Sequence, residues 1–178
     1  MMMRDRTSLQ IRQAVPADAP ALAAVQIASW QVAYRDIVSQ RVMDAWNAKR
    51  PAQWESYLAA ATPKTQNLLA QQGDEVIGFA LFGPGRDEGI DAQRNAELYS
   101  LYVHPSQWRH GAGRALCAAV IERLADQNFA DLYLWTFAAN APARRFYESV
   151  GFQLQSRAKE LVLEGTTFAE VCYARCLR

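Results

Sequence analysis

Residues 9–14 alternate polar and apolar side chains with a period of two, which predicts a short first strand. Pro16, Ala17 and Asp18 follow. Proline is tolerated and an acid favoured in the first turn of a helix, so a helix is expected from there to about residue 31. Its apolar residues Leu22, Val25, Ala28 and Val32 recur at helical spacing, while Ile27, Trp30 and Tyr34 make a second, aromatic stripe able to face a ligand. Helical spacing also marks 38–46 and 51–61, the latter turning Trp54 and Leu58 to one side at i,i+4. Residues 67–71 and 75–82 read as a hairpin about Gln72-Gly73-Asp74.

The second half keeps the same punctuation. Residues 83–95 are polar and glycine-containing and predict a surface loop. A strand dense in Leu, Tyr and Val covers 97–103 and ends at His104-Pro105. A helix over 113–126 turns Ala115, Leu116, Ala119, Val120 and Leu124 inward. Strand 132–137, a short helix 141–150 stopped by Gly151, and closing strands 152–163 and 167–177 complete the reading. No repeat or low-complexity tract interrupts it.

Composition narrows the function classes. At 178 residues and 51% apolar, the chain suits one core, with a flexible N-terminus over 1–8 and one domain over 9–178. A net charge of +1 with scattered Lys and Arg gives no basic face for nucleic acid or an anionic membrane. No apolar run approaches the roughly 20 residues that cross a bilayer, and the start lacks a signal-peptide core, so a cytoplasmic protein is expected. Cys172 and Cys176 on one strand would stand about 13 Å apart at ~3.3 Å per residue, too far for a disulfide. With Cys117, His104 and His110 dispersed, no metal site is expected, and Cys117 reads as a small buried apolar residue.

The run Trp108-Arg109-His110-Gly111-Ala112-Gly113-Arg114 lies between a strand and a helix, where free backbone N–H groups and the helix dipole favour an anion. A Walker loop would need Gly-Lys-Ser/Thr, and a Rossmann fingerprint a small residue where Leu116 stands. Neither nucleotide motif is present. Preceded by Ala96-Glu97-Leu98-Tyr99-Ser100-Leu101-Tyr102-Val103-His104-Pro105, the loop resembles the GNAT superfamily of N-acetyltransferases. A second segment in the right order, Asn140-Ala141-Pro142-Ala143-Arg144-Arg145-Phe146-Tyr147-Glu148-Ser149-Val150-Gly151-Phe152, carries the same resemblance, which spans about 9–177. It implies an α/β fold with a central mixed, mostly antiparallel sheet of about seven strands flanked by helices.

The resemblance also implies acetyl-coenzyme A as co-substrate. Its pyrophosphate is expected on the backbone of Arg109, His110, Gly111, Ala112, Gly113 and Arg114, its pantetheine beside Asn140. Trp108 departs from the family, which usually has Gln or Arg there. The main chain of Leu101, Tyr102 and Val103 is the expected holder of the oxyanion, and Arg144 and Arg145 are further candidates for a phosphate. An ammonium must lose a proton before it attacks a thioester, and the departing thiolate must gain one. Glu97 is the expected base, with His104 or water as fallback, and Tyr147 the expected acid. Trp30 and Tyr34 are the candidate acceptor wall, suited to an amine by cation–π contact.

The acceptor class stays open among a small amine, a peptide or protein N-terminus and a lysine. A module that senses acyl-coenzyme A without turnover is the competing reading. The last strand, 167–177, is expected to offer an edge for a homodimer.

Overall fold

The computed structural model describes residues 8–60 and 64–177. The expected flexible segment 1–8 therefore lies, except for Ser8, outside the described residues. The strands are β1 (Leu9–Gln13), β2 (Gln66–Gln72), β3 (Glu75–Pro84), β4 (Asn95–Val103), β5 (Asp131–Phe137), β6 (Gln153–Leu163) and β7 (Thr166–Cys176). They form one sheet in the order β1-β2-β3-β4-β5-β7-β6, antiparallel except for the β4–β5 pair. Helices α1 (Ala19–Ala33), α2 (Gln40–Asn47) and α3 (Arg50–Ala59) precede β2, α4 (Ala112–Asp126) links the parallel pair, and α5 (Ala141–Ser149) follows β5. A parallel pair needs such a crossover, and α4 supplies it.

Two features of β4 create the site. First, Phe82 pairs with Leu98 but Leu81 pairs with Ser100, which leaves Tyr99 as an extra residue. This bulge reverses the alternation of faces. Before it, Ala96 and Leu98 join the core under α4; after it, Val103 and Leu101 do so, while Tyr102 packs toward α1. Second, β4 pairs with β5 only from Asn95↔Asp131 to Leu98↔Leu134. Beyond that point β4 remains bonded to β3 and β5 to β7, so the two central strands part and a cleft opens.

Leu116, Val120 and Leu124 of α4 and Leu132 and Tyr173 of the sheet are at most 1% exposed and fill one face. On the other face Leu22 and Val25 of α1 and Trp54 and Leu58 of α3 pack on Leu69 and Phe79. Helix α1 differs from its expected stripe: Val32 is exposed, whereas polar Gln26 and Ser29 are buried. Gln26 is admitted to the interior because its Oε1 accepts the Trp54 indole N–H at 2.8 Å. The expected edge strand is also corrected. Strand β7 is inserted between β5 and β6, because β6 folds back outside it as a hairpin arm, so β6 and β1 are the edges.

Candidate active site

The loop after β4 is held open toward solvent by its own backbone. Arg109 and Gly111 have φ of 65° and 93°, the left-handed region that favours glycine at the second position. Gly111 caps α4 without any side-chain hydrogen bond, so first-turn amides of this helix stay available to an anion. Trp108 uses its indole N–H to donate to the Val103 carbonyl at 2.7 Å, which staples the loop to the end of β4. The residue that departs from the family pattern thus binds the protein itself.

The cleft between β4 and β5 continues from this loop as a cavity of about 1020 Å³. That is the upper end of the ~300–1000 Å³ usual for ligand pockets and suits an elongated molecule. Of the residues expected at the site, Leu101, Tyr102, Val103, Arg109, Gly111, Gly113, Arg114 and Asn140 line it together with Trp30, Tyr34 and Tyr147. With Arg145, the loop arginines Arg109 and Arg114 bring cations to this wall. Open amides, a backbone loop and nearby guanidiniums fit a coenzyme pyrophosphate.

Tyr147 is 9% exposed and packs against the rings of Phe146, Phe152 and Tyr173. Burial holds its phenol above the ordinary tyrosine value, with Tyr102 and Cys117 acting in the same direction, so it stays protonated at neutral pH. Asn140 begins α5, and its Oδ1 accepts the Ala143 N–H at 3.2 Å. Tyr147 follows seven residues later, almost two turns, and both reach the same cavity. Cys117 is buried inside α4, its thiol pushed up to about 11 by burial.

Four expected site residues do not line the cavity, two of them, His110 and Ala112, being expected there through their backbone amides alone. His110 and Ala112 flank Gly111 without lining the cavity, and Ala112 is buried in the core. Arg144 is also turned away: its Nε donates to the Tyr173 hydroxyl and its Nη1 to the Ala138 carbonyl, both at 3.1 Å. Glu97 is the fourth. Its carboxylate is 3% exposed as a residue, receives Arg86 Nη2 at 2.7 Å and Nε at 3.0 Å, and accepts the Tyr133 hydroxyl at 3.2 Å. Its position along β4 explains the difference: Glu97 pairs with Tyr133 in the stretch where β4 and β5 are still joined, before the cleft opens. The fallback base is engaged too: His104 Nδ1 meets the Ser106 hydroxyl at 2.8 Å and its N–H at 3.3 Å.

The far wall is aromatic and carries one acid that sequence reasoning missed. Trp30 and Tyr34 meet edge to face at 4.7 Å, and Tyr34 meets Phe137 at 5.1 Å. Glu170, on β7 opposite Phe137, lines the cavity at 9% exposure. Burial pushes its carboxyl above the ordinary value, opposed by Lys159 and reinforced by Glu97 and Asp87. The Tyr34 phenol, itself raised by burial, senses Tyr102, Tyr147 and Glu170. These groups share one electrostatic neighbourhood.

Comparison with known proteins identifies the family. The acetyltransferase (GNAT) family profile matches residues 27–152. The chain is 31% identical over 141 residues to an uncharacterized N-acetyltransferase, YuaI, of Bacillus subtilis, covering 78% of this chain and 77% of that protein. It is 33% identical over 99 residues to the Escherichia coli ribosomal protein bS18-alanine N-acetyltransferase, covering 53% and 67% respectively. The crystal structure of a PaiA N-acetyltransferase from Thermoplasma acidophilum with coenzyme A superposes with a TM-score of 0.75 at 21% identity, over 93% of this chain and 98% of that one. This last likeness concerns the fold.

Proposed function

The chain belongs to the acetyltransferase (GNAT) family and is an acetyl-coenzyme A-dependent N-acetyltransferase; on that premise we propose direct transfer of the acetyl group to a primary amine bound in the same cavity. The observation that carries this reading is one continuous cavity with the uncapped α4 terminus on its wall, the protonated Tyr147 beside it and an aromatic acceptor wall beyond. Donor and acceptor then occupy the two parts of the cleft together, in a ternary complex.

Bound acetyl-coenzyme A supplies an acetyl group activated as a thioester. The backbone of residues 109–114 binds its pyrophosphate, with Arg109 and Arg114 adding charge, and Asn140 stands beside the pantetheine. The main chain of β4 past Leu98, freed from β5, offers polar groups to the carbonyl oxygen as it gains charge. Tyr147 gives its proton to the departing sulfur; in water this single transfer is uphill by about 1.5 pKa units, because a phenol is a weaker acid than a thiol, and it is offset by the proton that the acylated nitrogen releases. Glu97 serves the turn at Arg86 and the sheet, not the amine.

The acceptor is a primary amine of a small molecule, a lysine or a peptide N-terminus. The relative that acts on ribosomal protein alanine supports including the last. The test is thiol release from acetyl-coenzyme A with an alanyl peptide, an Nα-acetyl-lysine amide and a linear diamine. Turnover with one class is expected; saturable coenzyme binding without turnover would favour a sensor.

A further inference from the structure

Three carboxylates gather on the α1 face of β4, β5 and β7, and they differ in what they hold. Glu97 is paired with Arg86. Asp87 is paired with Arg157, has Lys159 at 3.6 Å and accepts the Trp135 indole N–H at 2.9 Å. Glu170 has neither a hydrogen bond nor an ion pair to its carboxylate among the described residues, although it is 9% exposed and lies on the cavity wall. Its oxygens are not among the sealed polar atoms that lack a partner, so the carboxylate opens into the cavity, where it is free to meet a ligand with a positive charge or a proton to give.

We propose that Glu170 is the base of the reaction: its carboxylate takes the proton from the acceptor ammonium, which is seated between it and the aromatic surfaces of Trp30, Tyr34 and Phe137. This deepens the acetyltransferase reading and rests on it. Glu170 stands opposite Phe137 on β7, past the point where β4 and β5 part, so it borders the cleft from the β5 side. Aromatic faces stabilise a cation without neutralising it, leaving the Glu170 carboxylate to accept its proton.

The step balances. Glu170 accepts one ammonium proton and the freed nitrogen pair forms the N–C bond to the acetyl carbon. The C–S bond then breaks, its electron pair leaving on sulfur, which takes the Tyr147 proton. The second proton lost by the nitrogen passes through water to restore Tyr147, and Glu170 returns its own to solvent. The net products are the amide, the free thiol and one proton. Burial raises the Glu170 carboxyl, which brings it closer to a base poised for neutral pH. Lys159 on β6 opposes that rise, while Glu97 on β4, Asp87 in the loop before β4 and Tyr34 at the end of α1 are the other titratable groups near it.

The experiment is thiol release from acetyl-coenzyme A by the wild type, Glu170→Gln and Glu170→Asp, across pH, with the alanyl peptide, the lysine amide and the diamine. Acetyl-coenzyme A affinity is measured on each protein, which also reports folding. Glu170→Gln is expected to lose about 100-fold or more in kcat, with the coenzyme bound as before and the acidic limb of the pH profile abolished. Glu170→Asp is expected to retain that limb at reduced rate. Wild-type kcat and an unchanged acidic limb in Glu170→Gln would overturn the base alone. A change in amine KM with kcat and the limb preserved would also overturn it, leaving Glu170 a binding group. Absence of turnover by the wild type with every amine, despite coenzyme binding, would overturn the acetyltransferase reading and the base with it.

Discussion

On the coenzyme side of the cavity the wall is mostly one continuous stretch of chain, residues 98–114, and its useful groups are backbone amides presented by a left-handed loop and a helix end. On the acceptor side the wall comes from α1, β5 and β7, segments that meet only in the folded protein, and its useful groups are side chains. The first part is built to hold a fixed molecule; side chains can change there with little loss. In the second part each side chain determines what fits.

The largest expected effect on coenzyme affinity tests the backbone side. Gly111→Val forces a β-branched residue into the left-handed region at a strain of about 1–3 kcal/mol, so acetyl-coenzyme A affinity should fall by ~10- to 100-fold in calorimetric titration. An unchanged affinity would mean that the loop does not hold the coenzyme. Next comes Glu97→Gln, assigned here to structure. Its partner Arg86 is 62% exposed and can find water, so the loss is about 2 kcal/mol and not the ~3–5 of a fully buried pair. Thermal unfolding should shift down by ~4–8 °C while coenzyme binding is unaffected.

Trp108→Phe removes the indole bond to Val103 and leaves a ring, so the KM for acetyl-coenzyme A should rise about three- to tenfold, the worth of one hydrogen bond. The smallest effect belongs to a pair remote from the cavity wall. The hydrogen bond from Arg12 holds the Asp18 carboxyl below its ordinary value, against burial, so this pair adds stability above the unfolded carboxylate pKa and loses it as pH falls through the folded one. Asp18→Asn should cost at most about 1 kcal/mol at neutral pH and nothing in strong acid, read as thermal unfolding at both.

What was legible in the sequence follows the same division. Glycines 111 and 113 lie in one short run after a strand, so the cradle could be read without knowing the fold. Asn140 and Tyr147 share one helix and were readable by turn counting. The surroundings of Glu97 were hidden because its partner Arg86 lies in a loop eleven residues earlier, and only the fold brings the two together. Glu170 looks like one more polar residue on an alternating closing strand. Only the pairing with Phe137 brings it to the cavity. Arg144 and Arg145 are neighbours in sequence, and the Tyr173 hydroxyl, distant in the chain, decides which one turns inward.

The most direct test of transfer within one cavity is Tyr147→Phe, assayed for thiol release beside titration with acetyl-coenzyme A. The kcat is expected to fall about 100-fold or more while the coenzyme binds as in the wild type. Turnover equal to the wild type would contradict Tyr147 as the proton donor and the chemistry placed around it.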